Sequence, residues 1–394
     1  MNLPYLPNYF DYNATTPSSD EVKVAMIAAM TEYANPSSSS SSSKNVKELI
    51  AKARLNVAKL LSVNTESIYF TSGGTESNNW AIKGVLFQHI TNPGHIITSA
   101  IEHPSVLDTI RYCVDKFGFE VTYLKPDHTG AISVEQVQNA IKKNTQLISL
   151  MYANNETGVI QPIEEVALFA RQLNIPFHVD AVQFIGKRKI DVKMLNVDFL
   201  SLSAHKFYGP KGVGCLYIRD HQHFTPIMHG GGQEGTLRSG TENVMAISGL
   251  SKAAEEANEL VESWDQKYWL HKQQMMELLT HSDLDVRFNG VTSYHQAMSN
   301  TLNISFTGIR AEALAARLEM NHQMVVSLGS ACSNNKQKKL SHVLLAMGLN
   351  EEVIQGAIRV SFGKYTSSQT IEQIVNALIA EVNALKAISE EVVC

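Results

Sequence analysis

The chain has few cysteines, no long apolar run and no excess of positive charge. Its 394 residues hold only four cysteines, which lie far apart without a CxxC pair: Cys113, Cys215, Cys332 and Cys394. A disulfide framework or a zinc site is therefore not expected, no metal is predicted, and a reducing, cytoplasmic setting fits. No run approaches the roughly 18–20 apolar residues that cross a bilayer. The amino terminus shows no basic start followed by an apolar block, so no secretory signal is expected.

The charge and composition exclude other classes of protein. The formal net charge is −5 and the basic residues are scattered, which argues against a nucleic-acid or membrane partner. With 44% apolar and 18% charged residues, the chain has the composition of a globular protein. Its length exceeds what one hydrophobic core usually serves, so two domains are expected.

Short apolar segments rich in β-branched residues alternate with helical patterns in the first half of the chain. Because several are apolar at nearly every position, they predict strands buried on both faces of a mostly parallel sheet in an α/β domain. The predicted strands are Ser67–Thr71, His95–Ser99, Glu120–Leu124, Leu147–Tyr152, Pro176–Val179, Asp198–Ser201 and Gly214–Ile218.

A different pattern follows this α/β region and predicts a smaller α+β domain. We expect the large domain to cover residues 15–260, and residues 1–14 and 261–394 to form the small one. The predicted elements are a long helix Val244–Thr280, strands Thr301–Ser305 and Ala357–Ser361, and helices Glu312–Glu319, Ser341–Met347 and Ile371–Leu385. Seven consecutive serines, Ser37–Ser43, predict a flexible surface loop.

Lys206 and Asp180, which each follow a predicted strand, suggest a site for a covalently bound cofactor. Lys206 follows the strand Asp198–Ser201 and precedes a glycine-rich turn. A lysine there can form a Schiff base with an aldehyde cofactor, although most lysines in loops are simply exposed. Asp180 follows the strand Pro176–Val179, at the sheet edge where ligands of α/β proteins bind. It can pair with a protonated pyridine nitrogen or cap the next helix.

A phosphate site and a histidine follow two other predicted strands. The segment Thr71–Asn78 combines two glycines with the start of a helix, so its amides and the helix dipole favour a phosphate, although capping alone is an alternative. His103 follows His95–Ser99. It is either a structural residue or a group that stacks on a ring and transfers protons.

Taken together, these motifs resemble those of the cysteine desulfurases, group-V members of the fold-type-I pyridoxal-phosphate (PLP) enzymes. They occur in the family's order along nearly the whole chain. The matching segments are Phe10–Pro17, Asn35–Ser38, Thr71–Asn78, Glu102–His103, Asn154–Gly158, His178–Gln183, Ser203–Lys206, Gly230–Glu234, Arg238–Asn243, Gly329–Cys332 and Arg359–Ser361.

The resemblance implies a role for each matching residue. Lys206 would be the Schiff-base lysine, Asp180 the partner of the pyridine nitrogen, and His103 the residue stacked on the ring. The residues near the phenolic oxygen would be Asn155 and Gln183. The phosphate would be held by Gly74, Thr75, Ser203 and His205, with Thr241 supplied by the second subunit of a homodimer. Asn155 and Arg359 would bind the substrate, the latter through a bidentate pair with its carboxylate.

Cys332 distinguishes a desulfurase from an aminotransferase, because only the former needs a thiol. The resemblance implies that its thiolate attacks the sulfur of L-cysteine, which leaves L-alanine and a persulfide on Cys332. The small, polar and basic surroundings of Cys332 favour a thiolate. Cys113 and Cys215 lie in apolar segments and are expected in the core, and Cys394 has no expected role.

The sequence departs from the family pattern at three places. Asn334–Lys339 replaces a stretch similar to Ser-Gly-Ser-Leu-Glu-Pro, Ser40 and Ser43 stand where a His and a Gly are customary, and Gly235 stands at a usual Arg. None of these touches Lys206 or Cys332, so they put in doubt the rate and the choice of partner rather than the chemistry.

We therefore predict a homodimeric cysteine desulfurase that uses PLP and passes persulfide sulfur to an acceptor, such as an iron–sulfur scaffold or a tRNA-thiolation protein. A selenocysteine lyase or another PLP β-lyase is the nearest alternative. A catalytically silent regulatory homologue is a further one.

Overall fold

The computed structural model of the chain describes residues 8–221, 224–328 and 340–393 and contains a seven-stranded sheet. Its strands are β1 (Ile68–Thr71), β2 (His95–Ser99), β3 (Glu120–Leu124), β4 (Thr145–Met151), β5 (Phe177–Asp180), β6 (Phe199–Ser203) and β7 (Gly214–Ile218). They lie in the order β1-β7-β6-β5-β4-β2-β3. Strands β2 to β6 pair in parallel, while β7 is antiparallel to both β6 and β1. The predicted mostly parallel sheet is confirmed.

Helices cover the sheet because its strands are apolar on both faces. They are α1 (Asp20–Met30), α2 (Lys44–Leu61), α3 (Gly74–Leu86), α4 (Pro104–Phe117), α5 (Val134–Ala140), α6 (Ile163–Gln172) and α7 (Val192–Leu195). Helix α3 packs against β4 to β7, and α4 packs on α3. Helix α4 follows the usual boundary rules: a proline occupies its first position, and Gly118 ends it with φ of 80°.

The second half of the chain forms a three-stranded antiparallel sheet with its own helices. Its elements are α8 (Val244–Thr280), β8 (Val286–Phe288), β9 (Thr301–Phe306), α9 (Ala311–His322), α10 (His342–Ala346), α11 (Glu351–Gln355), β10 (Ala357–Ser361) and α12 (Ser368–Val393). Strand β8 was not predicted, because its three residues, Val286, Arg287 and Phe288, are too few to give a clear strand pattern. The amino-terminal segment contacts this part through bridges from Tyr9 to Val325 and from Asp11 to Ser361. The domain boundaries stay a prediction; α8 runs without a break through residue 260.

The serine run differs from the predicted flexible loop. Ser41–Ser43 form a turn of 3₁₀ helix that leads directly into α2. Ser43 is fully buried, and its hydroxyl donates to the carbonyls of Ser38 (2.8 Å) and Ser40 (2.7 Å). Serine hydroxyls often bind nearby backbone groups in this way, so the run builds a local hydrogen-bonded turn.

The two cysteines expected in the core are there. Cys113 and Cys215 are both fully buried. Burial raises the pKa of the Cys113 thiol to about 11 and that of Cys215 well above its ordinary value. Both thiols are therefore protonated near neutral pH and are poor nucleophiles. None of the described helices is both long and apolar enough to cross a membrane.

Candidate active site

A cavity of about 260 Å³ opens at the carboxyl ends of the parallel strands. Nine residues predicted from the sequence line it: Gly74, Thr75, His103, Asn155, Asp180, Gln183, Ser203, His205 and Lys206. The other lining residues are Ala14, Asn78, Ser105, Met151, Ala153 and Val182. Strands that run in parallel deliver the residues that follow them to one edge of the sheet, which explains why distant motifs meet there.

Asp180 is the last residue of β5 and is 5% exposed. Its Oδ2 accepts a hydrogen bond from Asn78 Nδ2 at 2.7 Å, and its Oδ1 accepts from the backbone N–H of Val182 at 3.0 Å. The second bond closes a turn rather than starting a helix, so helix capping does not explain this residue. No described cation forms a salt bridge with it. A buried carboxylate of this kind is suited to a cationic ligand atom.

His103 caps α4 and joins a chain of hydrogen bonds that ends at Asp180. Its Nδ1 lies 3.1 Å from the backbone N–H of Ser105, which can only donate, so we assign the proton of the neutral ring to Nε2. The Ser105 hydroxyl accepts from Asn78 Nδ2, which also donates to Asp180. Burial lowers the pKa of His103; Asp180 opposes this and Lys206 adds to it.

The side chain of Glu102, the residue before His103, connects the carboxyl ends of β2 and β4. Its Oε1 accepts from Ser99 Oγ at 2.6 Å and from the backbone N–H of Met151 at 2.9 Å. Its Oε2 is buried and has no partner among the described residues. Burial raises the pKa of Glu102 to about 8, so the carboxyl is protonated near neutral pH.

The start of α3 forms a wall of the cavity that suits a phosphate. Gly73 has φ of 148°, and a Cβ on Gly74 would lie 2.7 Å from Val182 Cγ2, so glycine is required for the close approach. Gly74 and Thr75, at the start of α3, line this region together with Ser203 and His205, and the amides of a helix start favour a phosphate. Burial, reinforced by nearby lysines, lowers the pKa of His205 to about 3, which makes its ring a neutral hydrogen-bonding group.

Lys206 belongs to the same motif as Ser203 and His205 and is the last residue of the 3₁₀ turn that follows β6. Its Nζ donates to the carbonyls of Asn13 (2.6 Å) and Ala14 (2.9 Å). Gln183 Nε2 donates to the Asn13 carbonyl as well, at 3.0 Å. The amine that the sequence predicts as the cofactor attachment point is thus held at the cavity by backbone carbonyls of the amino-terminal segment.

Arg359 and Thr241 do not line this cavity. Arg359 is 4% exposed and donates to the Asn155 carbonyl at 2.9 Å and to Asp11 Oδ1 at 2.5 Å. Its Nε has no partner among the described residues, so donors remain for a carboxylate. Thr241 is exposed on the surface of this chain. That position is compatible with a role in a second subunit.

Cys332 lies outside the described residues, as do Gly329 and Asn334–Lys339. The described chain on both sides contacts residues of the site. Ser327 pairs with Arg359 through two backbone hydrogen bonds of 3.0 and 2.7 Å. On the other side, Ser341 Oγ donates to buried Glu156 at 2.5 Å, and His342 Nε2 donates to the Glu102 carbonyl at 3.1 Å. No group of His, Cys, Asp or Glu in the described ranges could hold a metal ion.

The donor set fits PLP. A buried carboxylate with no salt bridge among the described residues suits the pyridinium nitrogen, a glycine-containing helix start suits the phosphate, and an amine suits the aldehyde. Asn78 Oδ1 is also buried without a partner in the described part of the chain.

Comparisons with known proteins identify the family of this chain. Residues 8–374 match the family model described as aminotransferase class-V. This chain belongs to that family. A relative from Clostridium botulinum named cysteine desulfurase IscS is 43% identical over 371 residues, which are 94% of this chain and 93% of the relative.

Solved structures with high structural similarity support the fold assignment. A structure titled NifS-like protein is 38% identical, with a TM-score of 0.88 over 96% of this chain and 99% of its own. Another, titled SspA in complex with cysteine, is 38% identical, with a TM-score of 0.80 over 91% and 100%. The predictions of the family, the fold class and a cysteine desulfurase are confirmed.

Sequence reasoning missed several residues around the cavity. Asn78 and Ser105 connect His103 to Asp180, and Asn13 and Lys187 lie behind Lys206. For Asn78 a signal was available, since it lies four residues after Gly74 on the same helix face. Asn13 lies in the matching segment Phe10–Pro17, but neither it nor Lys187 was assigned a role, because the contact between them joins distant parts of the chain.

Proposed function

We propose that this desulfurase binds PLP in the described cavity and converts L-cysteine to L-alanine, with the sulfur carried as a persulfide on Cys332. The observation that carries the proposal is the meeting of Lys206, Asp180 and the start of α3 around one cavity. The solved relative bound to cysteine supports the choice of substrate.

When bound, PLP supplies an electron sink next to the substrate α-carbon. Asp180 would pair with the pyridine nitrogen in its protonated form, and Asn78 holds the Asp180 carboxylate in place. Lys206 would anchor the cofactor and move protons at its Nζ. His103 would lie against the ring and hold or move a proton at Nε2, since its Nδ1 is engaged with Ser105. Arg359 binds the substrate carboxylate with its remaining N–H groups.

The sulfur step uses the Cys332 thiolate. It forms an S–S bond to the substrate sulfur while the substrate Cβ–S bond breaks, and the carbon receives the electron pair and then a proton. The products are L-alanine and a persulfide on Cys332. The described residues that flank Cys332 support this step: Ser327 pairs with Arg359, which donates to the carbonyl of the cavity residue Asn155.

The wider setting is part of the proposal. We infer a cytoplasmic homodimer in which Thr241 reaches the phosphate of the other subunit. The persulfide then passes to an acceptor protein of iron–sulfur cluster assembly or tRNA thiolation.

The test measures alanine and protein-bound persulfide after the purified protein is incubated with PLP and L-cysteine. Lys206→Ala is expected to abolish both products. Cys332→Ser is expected to keep the visible absorption of bound cofactor and to form no persulfide. Persulfide on Cys113 or Cys215, or cysteine turnover that survives Cys332→Ser, would contradict the proposal. A preference for selenocysteine in the same assay would favour the lyase alternative.

A further inference from the structure

Asn13 contacts the amine of Lys206 but does not line the cavity, and it is 2% exposed. Its backbone N–H donates to Ser361 Oγ of β10 at 3.0 Å. Its backbone carbonyl accepts from Lys206 Nζ at 2.6 Å and from Gln183 Nε2 at 3.0 Å. The backbone of one residue therefore connects two predicted cofactor-binding side chains to the small sheet.

The side chain of Asn13 is saturated with hydrogen bonds as well. Its Nδ2 donates to the Asn155 carbonyl (3.2 Å) and to Thr301 Oγ1 (2.9 Å). Its Oδ1 accepts from Lys187 Nζ and from Asn300 Nδ2, both at 3.0 Å. An amide offers two donors and one oxygen with two lone pairs, and all are used here. The orientation of the amide is fixed, because a flip would turn its N–H groups toward two donors.

Lys187 explains how this orientation is held. It is 5% exposed, and its Nζ donates to Asn13 Oδ1 and, at 2.6 Å, to Gln183 Oε1. No described carboxylate forms a salt bridge with it. Burial, with the charges of Lys206 and Arg359, lowers the pKa of Lys187 well below its usual range. The Lys187 amine therefore has one acceptor on the Asn13 side chain and one on the Gln183 side chain. Asn13, Lys187 and Gln183 thus form a closed ring of hydrogen bonds.

We propose that Asn13 positions the Lys206 amine and the Gln183 amide in the cavity, and that Lys187 fixes the direction of the Asn13 side chain. Both are positioning residues, because they act through Lys206 and Gln183 and not on the substrate. The inference rests on the proposed function, since it assigns the two residues to the binding of PLP.

The test uses the rate at which cofactor-free protein takes up PLP, followed by visible absorption. Asn13→Ala removes four hydrogen bonds and is expected to slow uptake by about tenfold or more, because a misplaced reacting group loses its favourable geometry. Lys187→Met removes two bonds at nearly constant volume and is expected to slow uptake by a smaller factor. If Asn13→Ala does not fold, as judged by circular dichroism, Lys187→Met alone decides the question.

A matched control is Lys272→Met. Lys272 is also buried, at 1% exposure, but it donates to the Met298 carbonyl and does not line the cavity. Its replacement is expected to leave the uptake rate unchanged. A slowing as large as that of Lys187→Met would mean that loss of any buried lysine has this effect, and it would overturn the proposal.

The double variant Asn13→Ala with Lys187→Met separates positioning from general damage. Since both changes break the same ring, uptake by the double variant is expected to be no slower than uptake by Asn13→Ala alone. Multiplying effects, or normal uptake by both single variants, would overturn the inference while the proposed function stands. Wild-type protein that takes up no PLP would overturn the proposed function together with the inference.

Discussion

The large sheet has an amino edge, where its parallel strands begin, and a carboxyl edge, where they end. The two edges contain similar residues with different hydrogen-bond partners. At the amino edge, His95 begins β2, is buried, and has both ring nitrogens engaged, with Thr145 Oγ1 at 3.0 Å and Thr122 Oγ1 at 2.8 Å. At the carboxyl edge, His103 follows the same strand and uses only Nδ1 among the described residues. A histidine with both nitrogens satisfied stabilises the sheet, whereas one with a free nitrogen at a cavity is available for chemistry.

The same contrast holds for the acidic residues. At the amino edge, Glu120 pairs with Lys142 at 2.9 Å on the surface. At the carboxyl edge, the carboxyls of Asp180 and Glu102 are buried, and Glu102 Oε2 has no described partner. The carboxyl edge therefore holds polar groups that the fold alone does not satisfy. Such groups are typical of a site built to receive a ligand.

The largest expected effect separates the two histidines. His103→Gln should lower kcat for alanine formation by roughly 10² to 10⁴, the usual contribution of a positioned proton-transfer group. His95→Gln should leave kcat nearly unchanged and lower the melting temperature, because it disturbs only strand contacts. Steady-state assays on both variants at matched PLP occupancy make the comparison. Equal losses of kcat would break the contrast between the edges.

A smaller effect is expected at Asn78, which links the Ser105 hydroxyl to Asp180. Asn78→Ala should lower kcat/KM by about tenfold, because the carboxylate loses the donor that fixes its direction. Asn79→Ala is the matched control: the neighbouring side chain bonds to Thr75 and Lys83 and not to Asp180. The two variants are compared by initial rates over a range of cysteine concentrations. A larger loss in Asn79→Ala would contradict the proposed link.

Glu102 should make the carboxyl edge sensitive to pH. Its pKa is about 8 in the folded protein and near the ordinary value of 4.5 in the unfolded chain, so the folded state binds the extra proton between these values. The stabilisation is complete below the unfolded pKa and is lost as the pH rises through the folded one. Glu102→Gln cannot lose a proton. As the pH rises from about 5 to about 8.5, the wild type should lose stability that the variant keeps. The free energy of unfolding of the variant minus that of the wild type should therefore increase by at least about 1 kcal/mol.

Urea unfolding of both proteins at the two pH values measures this difference. An equal change in the free energy of unfolding of both proteins between the two pH values would contradict the raised pKa of Glu102.

The smallest effect is expected at the amino edge. Glu120→Gln removes an exposed ion pair, which usually contributes little to stability. We expect no measurable change in the urea midpoint at either pH and no change in activity. A loss of activity would show that the amino edge is not merely structural.

The sequence predicted those parts of the site that depend on position along a strand. Lys206, Asp180 and His103 each follow an apolar strand, and parallel pairing brings such residues to one edge. The pattern could not predict Asn13, because its partners Lys206, Ser361 and Lys187 are far away in sequence. Nor could it predict the buried turn at Ser43, since a serine run gives no apolar periodicity. The roles of all the site residues stay predictions, and those of Thr241, Arg359 and Cys332 came from the resemblance alone.

The central claim is that the amine at the carboxyl edge, and no other, attaches PLP. The most direct measurement is borohydride reduction of the PLP-loaded protein, followed by peptide mass spectrometry. We expect the pyridoxyl group on Lys206 alone, with Lys187 and Lys272 unmodified. A label on Lys187, or retention of the label in Lys206→Ala, would contradict the account.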